Sequence, residues 1–73
     1  MAKRETKTEF FESVVADKNV PGATLVIFFL QAYREKEREG ENDEQVRLLD
    51  LLKEHRPELE QQAAEDIIQG YGR

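Results

Sequence analysis

The sequence predicts an all-α fold, a compact array of four short helices around a central apolar helix. Three observations carry that prediction. The stretch Ala23–Tyr33 has an unbroken apolar centre, Leu25 to Leu30, that holds two of the four phenylalanines, and no other segment is apolar on every side. The flanking segments place apolar residues at helical spacing. Residues that start or stop helices stand between the segments.

The first helix is expected at about 7–17. Thr6-Lys7-Thr8-Glu9 matches a capping box, with Thr6 as N-cap and Glu9 reaching back to it. Phe10, Phe11, Val14 and Val15 follow at i, i+1, i+4 and i+5, one helical face. Pro21 and Gly22 end the segment, because proline fixes its own φ and turns the preceding residue away from helix.

The second segment could be a buried strand by composition, since Thr24, Val26, Ile27, Phe28 and Phe29 all favour strands. No second strand candidate exists to pair with it, and a lone strand leaves its backbone groups unbonded. It also runs directly into Gln31–Glu39, a run of helix formers with opposite charges at i, i+3. A helix at about 23–39 follows, stopped by Gly40. Asn42 or Asp43 is expected to cap a third helix carrying Val46, Leu48, Leu49, Leu51 and Leu52, with Lys53, His55 and Arg56 in its last turn. Pro57 stops it and pre-forms the first turn of a fourth, in which Leu59, Ala63 and Ile67 share a stripe with Ala64 and Ile68 beside it. Gly70 ends this helix.

At 73 residues the chain is one domain, 1–73, with a basic N-terminal arm (1–6) and a short flexible C-terminal tail (70–73). A chain of this size buries only about 60% of the surface its unfolded form exposes, so its stability margin is thin. The absence of cysteine removes disulfides and thiolate metal sites and fits a reducing cytosol. The polar N-terminus lacks the apolar core of a signal peptide, and Leu25–Leu30 is far short of the ~20 residues that span a bilayer. The expectation is a cytoplasmic protein with no membrane contact.

The net charge of −5 is unevenly placed: residues 1–8 carry +2, while 34–44 and 57–73 each carry −3. An acidic chain gains little from counterion release at phosphates, so direct nucleic-acid binding is disfavoured and a protein partner is favoured. His55, the one histidine, has no cysteine or second histidine to join it, so no metal or catalytic site is expected around it. Glu39–Glu44 is acidic and lies between helices but lacks the ligand spacing of a calcium loop. A helix-turn-helix of the second and third helices would present Asp43, Glu44, Gln45, Arg47, Asp50 and Lys53, a charge set unlike that of DNA-reading helices. Nothing matches a phosphate loop, a nucleophile with its base, or a cofactor fingerprint. The expectation is a non-enzyme without cofactor.

The paired aromatics Phe10-Phe11 and Phe28-Phe29 are the strongest interaction candidates. Adjacent residues on a helix point about 100° apart. Each pair therefore either widens the apolar face of a small core or leaves one member exposed as an anchor for a partner.

Length, acidity, the absence of cysteine and the all-helical pattern together resemble the small phage-encoded regulators of host bacterial RNA polymerase. The resemblance implies binding to a large polymerase subunit, loss of promoter-specific initiation through interference with the sigma factor, antitermination as a further effect, and residence in the host cytoplasm. It carries no motif from which site residues could be transferred. From this chain's own charges and aromatics, the partner surface is expected on the first helix and its arm (Lys3, Arg4, Lys7, Phe10, Phe11), with Arg34, Arg47, Lys53 and Arg56 as further cations. Three other readings stay open. One is an acidic antidote or nucleic-acid mimic using Glu35, Glu37, Glu39, Glu41, Asp43 and Glu44; the others are a homodimeric helical subunit and a DNA-binding repressor.

Overall fold

The computed structural model of the chain describes residues 6–70. Helix α1 spans Lys7–Val14 and opens on the capping box: the Thr6 hydroxyl accepts from the Glu9 amide at 3.1 Å, and the Glu9 carboxylate accepts from the Thr6 amide at 3.1 Å. It ends three residues before the expected boundary. Asp17 is the reason: its side chain accepts from the Asn19 amide at 2.9 Å and its carbonyl from the Val20 amide at 3.2 Å, a local turn that competes with continued helix.

Helix α2, Gly22–Glu39, has Pro21 at its N-cap and no side-chain cap; the Pro21 carbonyl takes the first helical bond, from the Leu25 amide at 2.9 Å. Its end is a Schellman motif. Gly40 sits at φ 75°, its amide donates to the Glu37 carbonyl at 3.1 Å, and the Glu41 amide donates back to Lys36 at 2.9 Å. Helix α3, Asn42–His55, starts at once. Glu41 is its N-cap, by backbone alone, with its carbonyl accepting from the Glu44 and Gln45 amides. The expectation of a side-chain cap at Asn42 or Asp43 is therefore corrected: the motif that closes α2 fixes where α3 begins. Pro57–Leu59 then forms a tight 3-10 turn, where one turn of α-helix was expected, and leads into α4, Glu60–Ile68. Four α-helices and no strand are present among the described residues.

Helix α2 packs against α1, α3 and α4. It contributes Leu25, Val26, Phe29 and Ala32 to a core completed by Phe11, Val15, Leu48, Leu52, Leu59 and Ala63. The spacing of the inward residues is helical throughout: Thr8, Phe11 and Val15 on the first segment, Gln45, Leu48 and Leu52 on the third. Although Leu25–Leu30 is apolar on every side, it is not enclosed on every side, since Ile27 is 53% exposed. An 18-residue helix flanked by three others still keeps one face to solvent.

Three polar contacts lock the helices together. Arg47 of α3 pairs with Glu12 of α1 while its Nη2 holds Glu44 at 2.7 Å. The Gln45 amide nitrogen donates to the Tyr33 carbonyl of α2 at 3.3 Å. Arg56, just past α3, donates through Nη1 to the Val20 carbonyl at 3.0 Å and through Nε to Glu58 at 2.8 Å. The start of α2 lies so close to the 3-10 turn that a Cβ on Gly22 would come within 2.9 Å of Leu59 Cδ2. The radius of gyration is 11.8 Å, near the ~11 Å of a closely packed chain of this length.

Candidate partner-docking surface

The two phenylalanine pairs divide in the same way. Phe11 and Phe29 are fully buried, their ring centroids 5.7 Å apart and their planes at 60°. Phe10 and Phe28 lie one position earlier on their helices and meet on the next strip of the α1–α2 packing. Their rings stand edge to face at 4.8 Å and 84°, an arrangement that favours aromatic pairs. Phe28 is half-buried, and Phe10 remains 39% exposed. Of the two expected aromatic contact residues on α1, Phe10 is thus accessible, while Phe11 is part of the core and out of a partner's reach.

Beside this ring pair is a hollow of about 260 Å³ lined by Thr6, Lys7, Phe10, Phe28 and Gln31. It adjoins a second, of about 160 Å³, lined by Lys7, Gln31, Arg34 and Arg38. Lys7 and Gln31 belong to both. One end of the α1–α2 face is therefore aromatic and the other cationic, on a strip whose α2 members, Phe28, Gln31, Arg34 and Arg38, recur at helical spacing.

The other expected cations are placed differently. Arg47 is held between Glu12 and Glu44, and these hydrogen bonds raise its pKa above the ordinary range while holding the Glu44 carboxyl below its own. Arg56 bridges Val20 and Glu58, with the Glu58 carboxyl lowered chiefly by that guanidinium. Lys53 lies 3.8 Å from Glu60. Lys36, although on α2, is turned to Glu39 at 3.2 Å, which raises its pKa. Each of these cations has a carboxylate partner within the fold, whereas neither Lys7 nor Arg38 makes an ion pair among the described residues. Arg34 is engaged in an interaction within the chain. Lys3 and Arg4 lie outside the described residues.

Sequence reasoning missed Gln31 and Arg38 as members of this surface. Their signal was present as the spacing Gln31, Arg34, Arg38 (i, i+3, i+7), but it was read as a charge-laced, solvated helix face.

Among the described residues, no group of three or more His, Asp or Glu could hold a metal ion, and no helix is long and apolar enough to cross a membrane. No protein-family model, curated protein or solved structure matches the chain at a significant level.

Proposed function

We propose that the protein is a non-enzymatic regulator that acts by binding another protein through the α1–α2 face. The observation that supports this most is the exposed Phe10, set edge-on to Phe28 at the rim of a hollow that continues into the Lys7–Arg38 recess. An aromatic anchor beside a polar rim is the usual composition of a binding hot spot. The most concrete form of the reading follows the resemblance to small phage regulators. In it, the chain binds a large subunit of host bacterial RNA polymerase, inhibits initiation by interfering with sigma, and antiterminates as a further effect.

The test is capture from bacterial lysate with tagged protein, followed by promoter-dependent transcription in vitro with purified polymerase. Recovery of polymerase depleted of sigma, with loss of both recovery and inhibition in Phe10→Ala and Lys7→Glu, is the expected result. Inhibition that persists in both variants, or no polymerase recovered, refutes it. A homodimeric subunit is the second reading, favoured by Val46 and Ile68, which are 60% and 83% exposed on α3 and α4. A solution mass that doubles with concentration would establish it.

A further inference from the structure

The two hollows on the α1–α2 face together define what they accept. The first is lined by two aromatic rings and has room for one large apolar side chain. The second presents only Lys7, Gln31, Arg34 and Arg38, three cations and an amide, a lining suited to carboxylates and not to another apolar group. Because Lys7 and Gln31 border both, the two hollows are contiguous and within reach of one ligand. From Phe28 to Arg38 the strip runs ten residues along α2, about 15 Å at the helical rise.

We infer that this face is a bipartite site for an acidic segment of a partner protein: one aromatic or large aliphatic anchor seated against Phe10 and Phe28, with aspartate or glutamate side chains following within about 15 Å along Lys7, Arg34 and Arg38. The inference rests on the protein-binding reading and adds the chemistry of the partner. Charge complementarity selects this occupant. The chain carries −5 overall, yet this strip is lined by cations, and two of them, Lys7 and Arg38, are outside the ion pairs that occupy Lys36, Arg47, Lys53 and Arg56. A phosphate backbone would need a wider cationic track than one recess.

The test is heteronuclear NMR of the isotope-labelled protein titrated with a short synthetic peptide that carries one phenylalanine followed by a run of glutamates. Expected are shifts concentrated at Lys7, Phe10, Phe28, Gln31, Arg34 and Arg38. Binding should weaken about tenfold or more in each of Phe10→Ala and Arg38→Glu, and also as salt rises. Circular dichroism checks that both variants stay folded. No shifts, shifts elsewhere, or equal binding of a peptide with lysines in place of the glutamates overturns the inference. So does tighter binding of a single-stranded oligonucleotide, or a concentration-dependent change at these residues without peptide, which would make a second copy the occupant. If polymerase capture depends on Phe10 but the acidic peptide does not bind, the chemistry assigned to the site is wrong and the regulator reading survives. If the peptide binds as expected and no polymerase is captured, the polymerase reading is what fails.

Discussion

Arg56 was a candidate for partner contact by charge, but its surroundings give it a structural task that Arg56→Met tests directly. The side chain is only 14% exposed, and its guanidinium donates to the Val20 carbonyl 36 positions earlier in the chain. Methionine keeps most of the apolar stem and removes the donors. A hydrogen bond from a charged group contributes ~1.5–3 kcal/mol, and its loss leaves the Val20 carbonyl without that donor. The ion pair with Glu58 adds little, because that carboxylate is largely solvated. The expected loss is about 2 kcal/mol, which in a domain of this size lowers Tm by roughly 8–16 °C. Thermal unfolding followed by helical circular dichroism reads it.

The pH dependence separates the two contacts. Glu58 is held below its ordinary value of 4.5, chiefly by Arg56 and then by a backbone hydrogen bond. A lowered carboxylate pKa contributes stability above the unfolded value that is lost as pH falls through the folded one. The gap between the native chain and Arg56→Met should therefore narrow below about pH 4 but stay open, since the Val20 carbonyl does not titrate. A Tm within about 2 °C of the native chain at neutral pH, on a scale where 1 kcal/mol moves it at least twice as far, would refute the assignment.

Phe11→Ala opens a cavity in a fully enclosed site and should cost about 3–5 kcal/mol, enough to unfold much of so small a domain. Phe10→Ala loses chiefly the edge-to-face contact, about 0.5–1.5 kcal/mol, and should stay folded while partner binding falls; urea denaturation of both compares them. Thr8 is buried with its hydroxyl unpartnered among the described residues, so Thr8→Val should raise stability by about 1 kcal/mol in the same assay. Gly40→Ala places a side chain in open space at φ 75°, so its cost of about 1 kcal/mol should come from backbone conformation alone, with Gly40→Asn losing less. The Glu44 carboxyl, held down by Arg47, should titrate below an ordinary glutamate by carbon-detected NMR and return toward it in Arg47→Ala; whatever stability that pair adds is present at neutral pH and fades in acid.

What was legible in the sequence was what is decided locally. The capping box needs only Thr6 and Glu9, the α2 stop needs only a glycine that tolerates positive φ, and the choice of helix over strand for Ala23–Tyr33 drew on the run of helix formers that follows it as well as on the absence of a partner strand. The early end of α1 was also written locally, in Asp17-Lys18-Asn19, but Pro21-Gly22 offered a stronger stop slightly further on. What could not be read depends on partners far along the chain. Arg47 looks like any helix cation until Glu12 is found beside it, and Arg56 until Val20 is. The split within each phenylalanine pair is of the same kind. Adjacent rings diverge by about 100°, and only the position of the neighbouring helix decides which one turns inward. The candidate surface was partly visible for this reason, as Lys7, Phe10, Phe28 and Arg34 without Gln31 and Arg38.

Glu41 uses both of its backbone groups at the α2–α3 junction, the amide closing one helix and the carbonyl opening the next. A link of two residues, Gly40 and Glu41, leaves little slack, so α2 and α3 behave as the two arms of a bracket whose angle is fixed by main-chain bonds. The connection from α1 to α2 is longer, and it is held by the Asp17 side-chain turn together with main-chain bonds from Asp17 to Val14 and from Val20 to Asp17. Helix α2, set in the bracket, keeps its cations at constant spacing like marks on a ruler.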